Sequence, residues 1–204
     1  MNYDELIPIL SNQRLLPIFR GSHEEIKAAL ILMEPLEFKA IELTTSTPNW
    51  QPLLKELSQK YIVGLGTVTT NQDIHDAISN GAKFLVSFGS FSELMREIQR
   101  IPVIAGAFTP TEFLQLYRAG IKLVKLYPAA NFGPKYLKDL KVLLPELNFI
   151  VTGGIGTTKD ELENWTENGA IAIGMGSALG NPITDKAGFK QRVAELKSTL
   201  EIRV

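Results

Sequence analysis

Short apolar runs recur along the chain at a steady spacing: LLPIFR, AIELTT, YIVGLGTV, FLVSFG, PVIAGAF, LVKLYP, NFIVTGG and AIAIGMG. Between them apolar residues return every three or four positions, in HEEIKAALILMEPL, QPLLKELSQK, NQDIHDAISNGA, SELMREIQR, TEFLQLYRAG, YLKDLKVLLP and TKDELENWTENGA. The first pattern predicts strands and the second helices. The runs repeat every roughly 20–27 residues, about what one strand, one helix and two short loops require. Strands alternating with helices imply a parallel sheet under a layer of helices. Near-continuous apolar strands agree, because such a sheet is buried on both faces. Eight of them predict an α/β fold of the (β/α)8, or TIM-barrel, type rather than an open doubly wound sheet. No linker or low-complexity segment divides the chain, so residues 1–204 read as one barrel domain, with YDELIPILSNQ as a short helix ahead of the first strand.

Composition narrows the class. The chain has 204 residues, 45% of them hydrophobic, a formal net charge of −1 and no cysteine. Near-neutral charge without a Lys/Arg block argues against nucleic acid or an anionic membrane as partner. No window holds the roughly 18 apolar residues of a membrane span. The opening segment is acidic where a signal peptide is basic, so a cytoplasmic location is expected. Without cysteine there is no disulfide and no thiolate chemistry.

In a barrel of this type, chemistry sits at the C-terminal ends of the strands and in the loops that follow. The polar candidates there are Arg20, Glu42 with Thr44 and Thr45, Thr67, Ser87, Thr109, Lys125, Thr152 with Gly153 and Gly154, and Gly174 through Ser177. Lys125 stands out, an ammonium inside the apolar run LVKLYP, where burial costs several kcal/mol unless the charge is paired or lost. Strand alternation puts it on one face with Leu123 and Tyr127. Glu42 holds an equivalent place on the second strand. Lys122, at the opposite end of the sixth strand, is expected to be exposed. A buried amine beside a carboxylate is a candidate Schiff-base nucleophile, with Glu42 moving protons. Burial, or a cation such as Arg20, has to favour the free amine, because a carboxylate favours the ammonium.

A second constellation is glycine-rich. VTGGIGTTKDEL closes the seventh strand and opens a helix, with Thr157 or Thr158 as N-cap and Glu161 at capping-box spacing. IGMGSAL closes the eighth. Glycines after strands seven and eight let backbone N–H groups approach a phosphate. His23 and His75 read as solvated helix residues, and two distant histidines without cysteine make no zinc site. Trp50 and Trp165 read as packing residues or contacts to a second subunit.

The motifs IFRG, AIELTTSTPNW, GLGTV, VKLYPAANFGPKYLKDLKVLLP and TGGI, in this order, resemble those of the class I aldolases that cleave 2-keto-3-deoxy-6-phosphogluconate or its galactonate epimer. The resemblance runs from LLPIFRG to GMGSAL. It implies Lys125 as the Schiff-base lysine and Glu42 as the general acid/base. It implies Arg20 and Thr67 on the keto-acid carboxylate and Tyr127 as a wall of the pyruvate pocket. Thr152, Gly153, Gly154, Gly174, Gly176 and Ser177 would serve the sugar and phosphate. It further implies a phosphorylated keto-sugar acid as substrate, pyruvate as product, no cofactor or metal, and a homotrimer. Activity on 4-hydroxy-2-oxoglutarate also falls within the family.

The chain departs from the family pattern at several places. Ser46 stands where the gluconate branch has an arginine, which passes the carboxylate to Arg20. Ser87 and Phe88 replace an SP pair, and Ala105 precedes Gly106 where PG is common. Phe88 and Phe108 are expected to narrow the sugar end. Thr152 resembles the gluconate branch, whereas STPNW and FGPKY resemble the galactonate branch, and the epimer stays open between them. On the residues alone, a phosphate-binding isomerase or epimerase and a non-catalytic phosphometabolite binder are the alternatives. Lys125 together with Glu42 favours the aldolase, since a binder has no use for a buried amine.

Overall fold

The computed structural model describes residues 1–201. Its eight strands are β1 (Leu15–Phe19), β2 (Ala40–Thr44), β3 (Ile62–Gly66), β4 (Phe84–Ser87), β5 (Val103–Ala107), β6 (Leu123–Leu126), β7 (Asn148–Thr152) and β8 (Ala170–Met175). They pair in parallel in chain order, and β8 closes on β1. The helices are α1 (Tyr3–Gln13), α2 (His23–Leu32), α3 (Trp50–Leu57), α4 (Asn71–Ser79), α5 (Ser92–Arg96), α6 (Pro110–Arg118), α7 (Gly133–Leu143), α8 (Lys159–Glu167) and α9 (Lys186–Glu201). The eight-stranded barrel with its leading helix is the one the apolar pattern predicts.

Local chemistry starts many of these helices. Asn2 with Glu5, Ser22 with Glu25, Thr70 with Asp73 and Thr109 with Glu112 each form a reciprocal capping box. Thr109, a candidate at a strand end, is therefore committed to the start of α6. One expectation is corrected here. Thr158 is the N-cap of α8, but its side chain makes no capping bond, so the Thr158–Glu161 box does not form. Thr157 instead donates to Glu195 on α9 at 3.3 Å.

Two layers of side chains make the core. Ile41, Leu43, Leu65, Val124 and Val151 point outward to the helices and are fully buried. Strand register aligns the inward set: Ile18 with Glu42, Gly64 and Phe84, and Gly106 with Lys125, Ile150 and Ala172. Glycines keep this interior open for their neighbours. A Cβ at Gly64 would overlap the Phe84 ring, and one at Gly66 would overlap the Glu42 carboxylate.

α1 covers the end of the barrel away from the candidate chemistry. Tyr3 Oη donates to the Val103 carbonyl at 2.7 Å and accepts from the Val103 N–H at 3.1 Å, satisfying the first residue of β5. Burial pushes the Tyr3 phenol up to about 12 against its backbone hydrogen bond. An unfolded tyrosine ionises near pH 10, so the native state holds this proton more tightly and stability must fall as pH rises from about 10 to 12. Tyr3→Phe leaves a buried N–H and C=O unpaired and is expected to cost about 1–3 kcal/mol in urea unfolding. The variant should also lose that alkaline slope, and an unchanged slope would assign it to another group.

Candidate active site

The lysine and the carboxylate singled out in the sequence meet inside the barrel mouth. Lys125 Nζ lies 3.9 Å from Glu42 Oε1, with the residues 8% and 1% exposed. That separation is too long for a hydrogen bond and short enough for one oxygen to bridge both groups at about 2.8 Å. Glu42 Oε2 is buried and has no hydrogen-bond partner. A buried carboxylate oxygen without a protein partner is costly, and a catalytic role is one of the reasons such an oxygen is kept. Lys122, by contrast, is exposed at the N-terminal end of β6 and pairs with Asp4 at 3.1 Å.

A cavity of about 270 Å³, near the lower end of small-molecule pockets, lies at the C-terminal ends of β1, β6, β7 and β8. Lys125 and Glu42 do not line it themselves, but Tyr127, whose ring is near the Lys125 amine, and Ile18, the register partner of Glu42, do. Arg20 lines it from the end of β1, Tyr127 from β6, Thr152 through Gly154 from β7, and Gly174 through Ser177 from β8. The predicted pyruvate wall and the predicted phosphate residues thus come together around one space. Tyr127 is half exposed, and Lys125 Nζ sits 5.6 Å from its ring centroid. Arg20 is exposed and has no ion-pair or hydrogen-bond partner among the described residues. Thr152 Oγ1 is buried and unpartnered, and a Cβ at Gly174 would overlap it.

Gly153 and Gly154 are glycines for a definite reason. Both have positive φ, 98° and 75°, and a Cβ on them would fall 3.0 Å from the Tyr127 ring and 2.6 Å from Ala130 Cβ respectively. The loop after β7 lies directly on the loop after β6, and Ala130 N–H donates to the Gly153 carbonyl at 3.1 Å.

Thr67 is placed differently from Arg20. It does not line the cavity, and the Thr45 hydroxyl donates to its carbonyl at 3.0 Å. Its φ of 62° is an outlier for a β-branched residue, the kind of backbone strain that collects at functional sites. Ser46 is exposed and shares a hydrogen bond of 2.7 Å with Thr44. Phe88 is exposed at the mouth, and its backbone fills the space a Cβ on Gly106 would need. Phe108 packs edge-on against Phe132 at 4.1 Å.

The remaining candidates do not line this cavity. Ser87 Oγ accepts from the Gly89 N–H at 3.4 Å. His23 is half buried with Nε2 2.9 Å from the Pro48 carbonyl, and His75 is exposed on α4. Among the described residues no three His, Asp or Glu side chains converge as metal ligands. Trp50 and Trp165 are buried core residues. Among the described residues no helix is long and apolar enough to cross a membrane.

Sequence reasoning missed Ile18 and Asn131, which also line the cavity. Asn131 carried a usable signal, a polar residue in the loop after β6. Ile18 carried none, because its side chain looks like any other in an apolar strand.

The family model described as KDPG and KHG aldolase matches residues 7–196. The chain is 28% identical over 173 residues to the 2-dehydro-3-deoxy-6-phosphogalactonate aldolase of Escherichia coli (strain K12), covering 81% of this chain and 83% of that one. It is 31% identical over 122 residues to the 2-dehydro-3-deoxy-phosphogluconate aldolase of Pseudomonas aeruginosa, covering 57% and 56%. Among solved structures it resembles a 4-hydroxy-2-oxoglutarate/2-dehydro-3-deoxyphosphogluconate aldolase from TTHB1, with 29% identity, a TM-score of 0.80, and 96% and 98% of the two chains covered.

Proposed function

The chain belongs to the KDPG and KHG aldolase family, and from that premise we propose that it is a Schiff-base aldolase cleaving a 2-keto-3-deoxy-6-phospho-aldonate to pyruvate and glyceraldehyde 3-phosphate. The observation that carries this reading is the approach of Lys125 Nζ to Glu42 Oε1, 3.9 Å apart within a buried lumen. The free amine of Lys125 attacks the substrate's C2 carbonyl and forms an N–C2 bond. Glu42 supplies the proton with which the former carbonyl oxygen leaves as water, giving an iminium. The Glu42 carboxylate then takes the proton of the C4 hydroxyl as the C3–C4 bond breaks and its electron pair moves toward the iminium nitrogen. The aldehyde departs, Glu42 returns the proton to C3 of the enamine, and water releases pyruvate from Lys125.

The other residues hold the substrate's ends in this reading. Arg20, with no partner among the described residues, and Thr67 take the keto-acid carboxylate. Tyr127 walls the pyruvate half. Thr152, whose hydroxyl lacks a partner, serves the sugar hydroxyls, and Gly153, Gly154, Gly174, Gly176 and Ser177 receive the phosphate through backbone N–H groups and the Ser177 hydroxyl.

Incubation with pyruvate followed by borohydride tests the central step. A single reduced adduct, read by intact mass and mapped to the peptide holding Lys125, is the expected result. Folded protein without an adduct, or with one on Lys122, would refute it.

A further inference from the structure

Two neighbouring loops line the cavity, one after β1 carrying Arg20 and one after β8 carrying Gly176 and Ser177. Glu25, in the first turn of α2, ties them together. Its Oε2 accepts from the Ser22 N–H at 2.7 Å, and its Oε1 accepts from Asn181 Nδ2 at 2.6 Å. Asn181 Oδ1 in turn accepts from the backbone N–H groups of Ile183 and Thr184 at 2.8 and 3.0 Å. The bonds therefore run in one direction, from backbone donors through the Asn181 amide to a carboxylate. They hold the Glu25 carboxyl below the usual carboxylate range, the Ser22 N–H contributing most and the Asn181 side chain next. Gly21 makes the approach possible. It has φ 114°, and a Cβ there would fall 2.6 Å from Glu25 Oε2.

Glu25 and Asn181 do not line the cavity that Arg20 shares with Tyr127 and Thr152. They line a second space of about 220 Å³, which shares Ile18, Arg20, Gly176 and Ser177 with the first. A contact so placed has no use in the bond-breaking steps, yet it joins the two segments assigned to the substrate's two anionic ends. We propose that Glu25 and Asn181 form a strap fixing the span between Arg20 and Ser177, and so select substrates whose carboxylate and phosphate are that far apart. Both are positioning residues. The inference rests on the aldolase reading and on small displacements of binding groups being costly.

The one-way bonding gives a reciprocal test. In Glu25→Gln the new amide must point its NH2 at the Ser22 N–H or at the Asn181 amide, donor against donor. In Asn181→Asp two carboxylates face each other. The double variant restores the circuit with one bond reversed. Its introduced glutamine donates to the introduced aspartate and still accepts from the Ser22 N–H. The aspartate still accepts from the N–H groups of Ile183 and Thr184. Glutamine also remains competent in a capping box.

All four proteins would be assayed with 2-keto-3-deoxy-6-phosphogluconate or its galactonate epimer, whichever the wild type cleaves, and by borohydride trapping of pyruvate. Each single variant is expected to raise KM for the phosphorylated substrate about tenfold. Its kcat and its pyruvate adduct should match wild type, and the double variant should recover most of the KM. Unchanged KM in the single variants would overturn the strap, as would a double variant no better than either single. Parallel loss of kcat and adduct in the variants would overturn it too, assigning the pair a purely structural role. A wild-type protein that forms no adduct overturns the aldolase reading itself, and the strap with it.

Discussion

Lys125→Ala is expected to lower kcat/KM by on the order of 10⁵–10⁶-fold, the scale of losing a covalent nucleophile. Nothing nearby can substitute. Lys122 lies at the other end of β6 and is held by Asp4. Arg20 does line the cavity but carries no nucleophilic free amine. The substitution also leaves the Glu42 carboxylate buried without a cation. Lys125→Met, which keeps most of the side-chain volume, should therefore be measured beside it to separate lost chemistry from lost stability. Circular dichroism would report the fold, and trapping with pyruvate should give no adduct in either variant. Cleavage persisting within about 10²-fold of wild type in a folded variant would remove Lys125 from the covalent step.

Glu42→Gln should separate the two halves of the reaction. Glutamine preserves the shape that Gly66 accommodates but cannot carry a proton to and fro. We expect kcat to fall by about 10²–10⁴-fold, the range attributed to general acid–base catalysis. Pyruvate should still be trapped on Lys125, more slowly. Loss of adduct and turnover in equal measure would instead make Glu42 a support for the lysine's position, and near-normal turnover would assign the proton work elsewhere.

The barrel was legible because each strand is buried on both faces and each helix on one, so periodicity alone marks the elements. The Lys125–Glu42 pair was legible for a related reason: a charged residue in a doubly buried strand is an anomaly that requires a partner. α9 was missed. Phe189, Val193 and Leu196 mark its buried face, but the turn-rich GNPITD precedes it and a glycine, Gly188, lies in its first turn, which weakens the helical signal. The Thr158 capping box failed where the neighbouring threonine turned to Glu195, a contact that exists only once α9 is docked. Ile18 and the Glu25–Asn181 tie were invisible for the same reason. Residues 156 positions apart are brought together only by closing the barrel.

The glycines of the barrel lumen bear on how relatives can differ from one another. Gly66 and Glu42, Gly64 and Phe84, and Gly174 and Thr152 each divide one small volume, with the first member of every pair vacating what the second occupies. Such pairs cannot drift independently during descent. A lineage that acquires even an alanine at the position of Gly174 must first shorten or turn aside the residue equivalent to Thr152, and the reverse order is closed to selection. Across the family these positions should therefore change in concert, and the pairs should appear as coupled columns although each member alone resembles an ordinary buried residue.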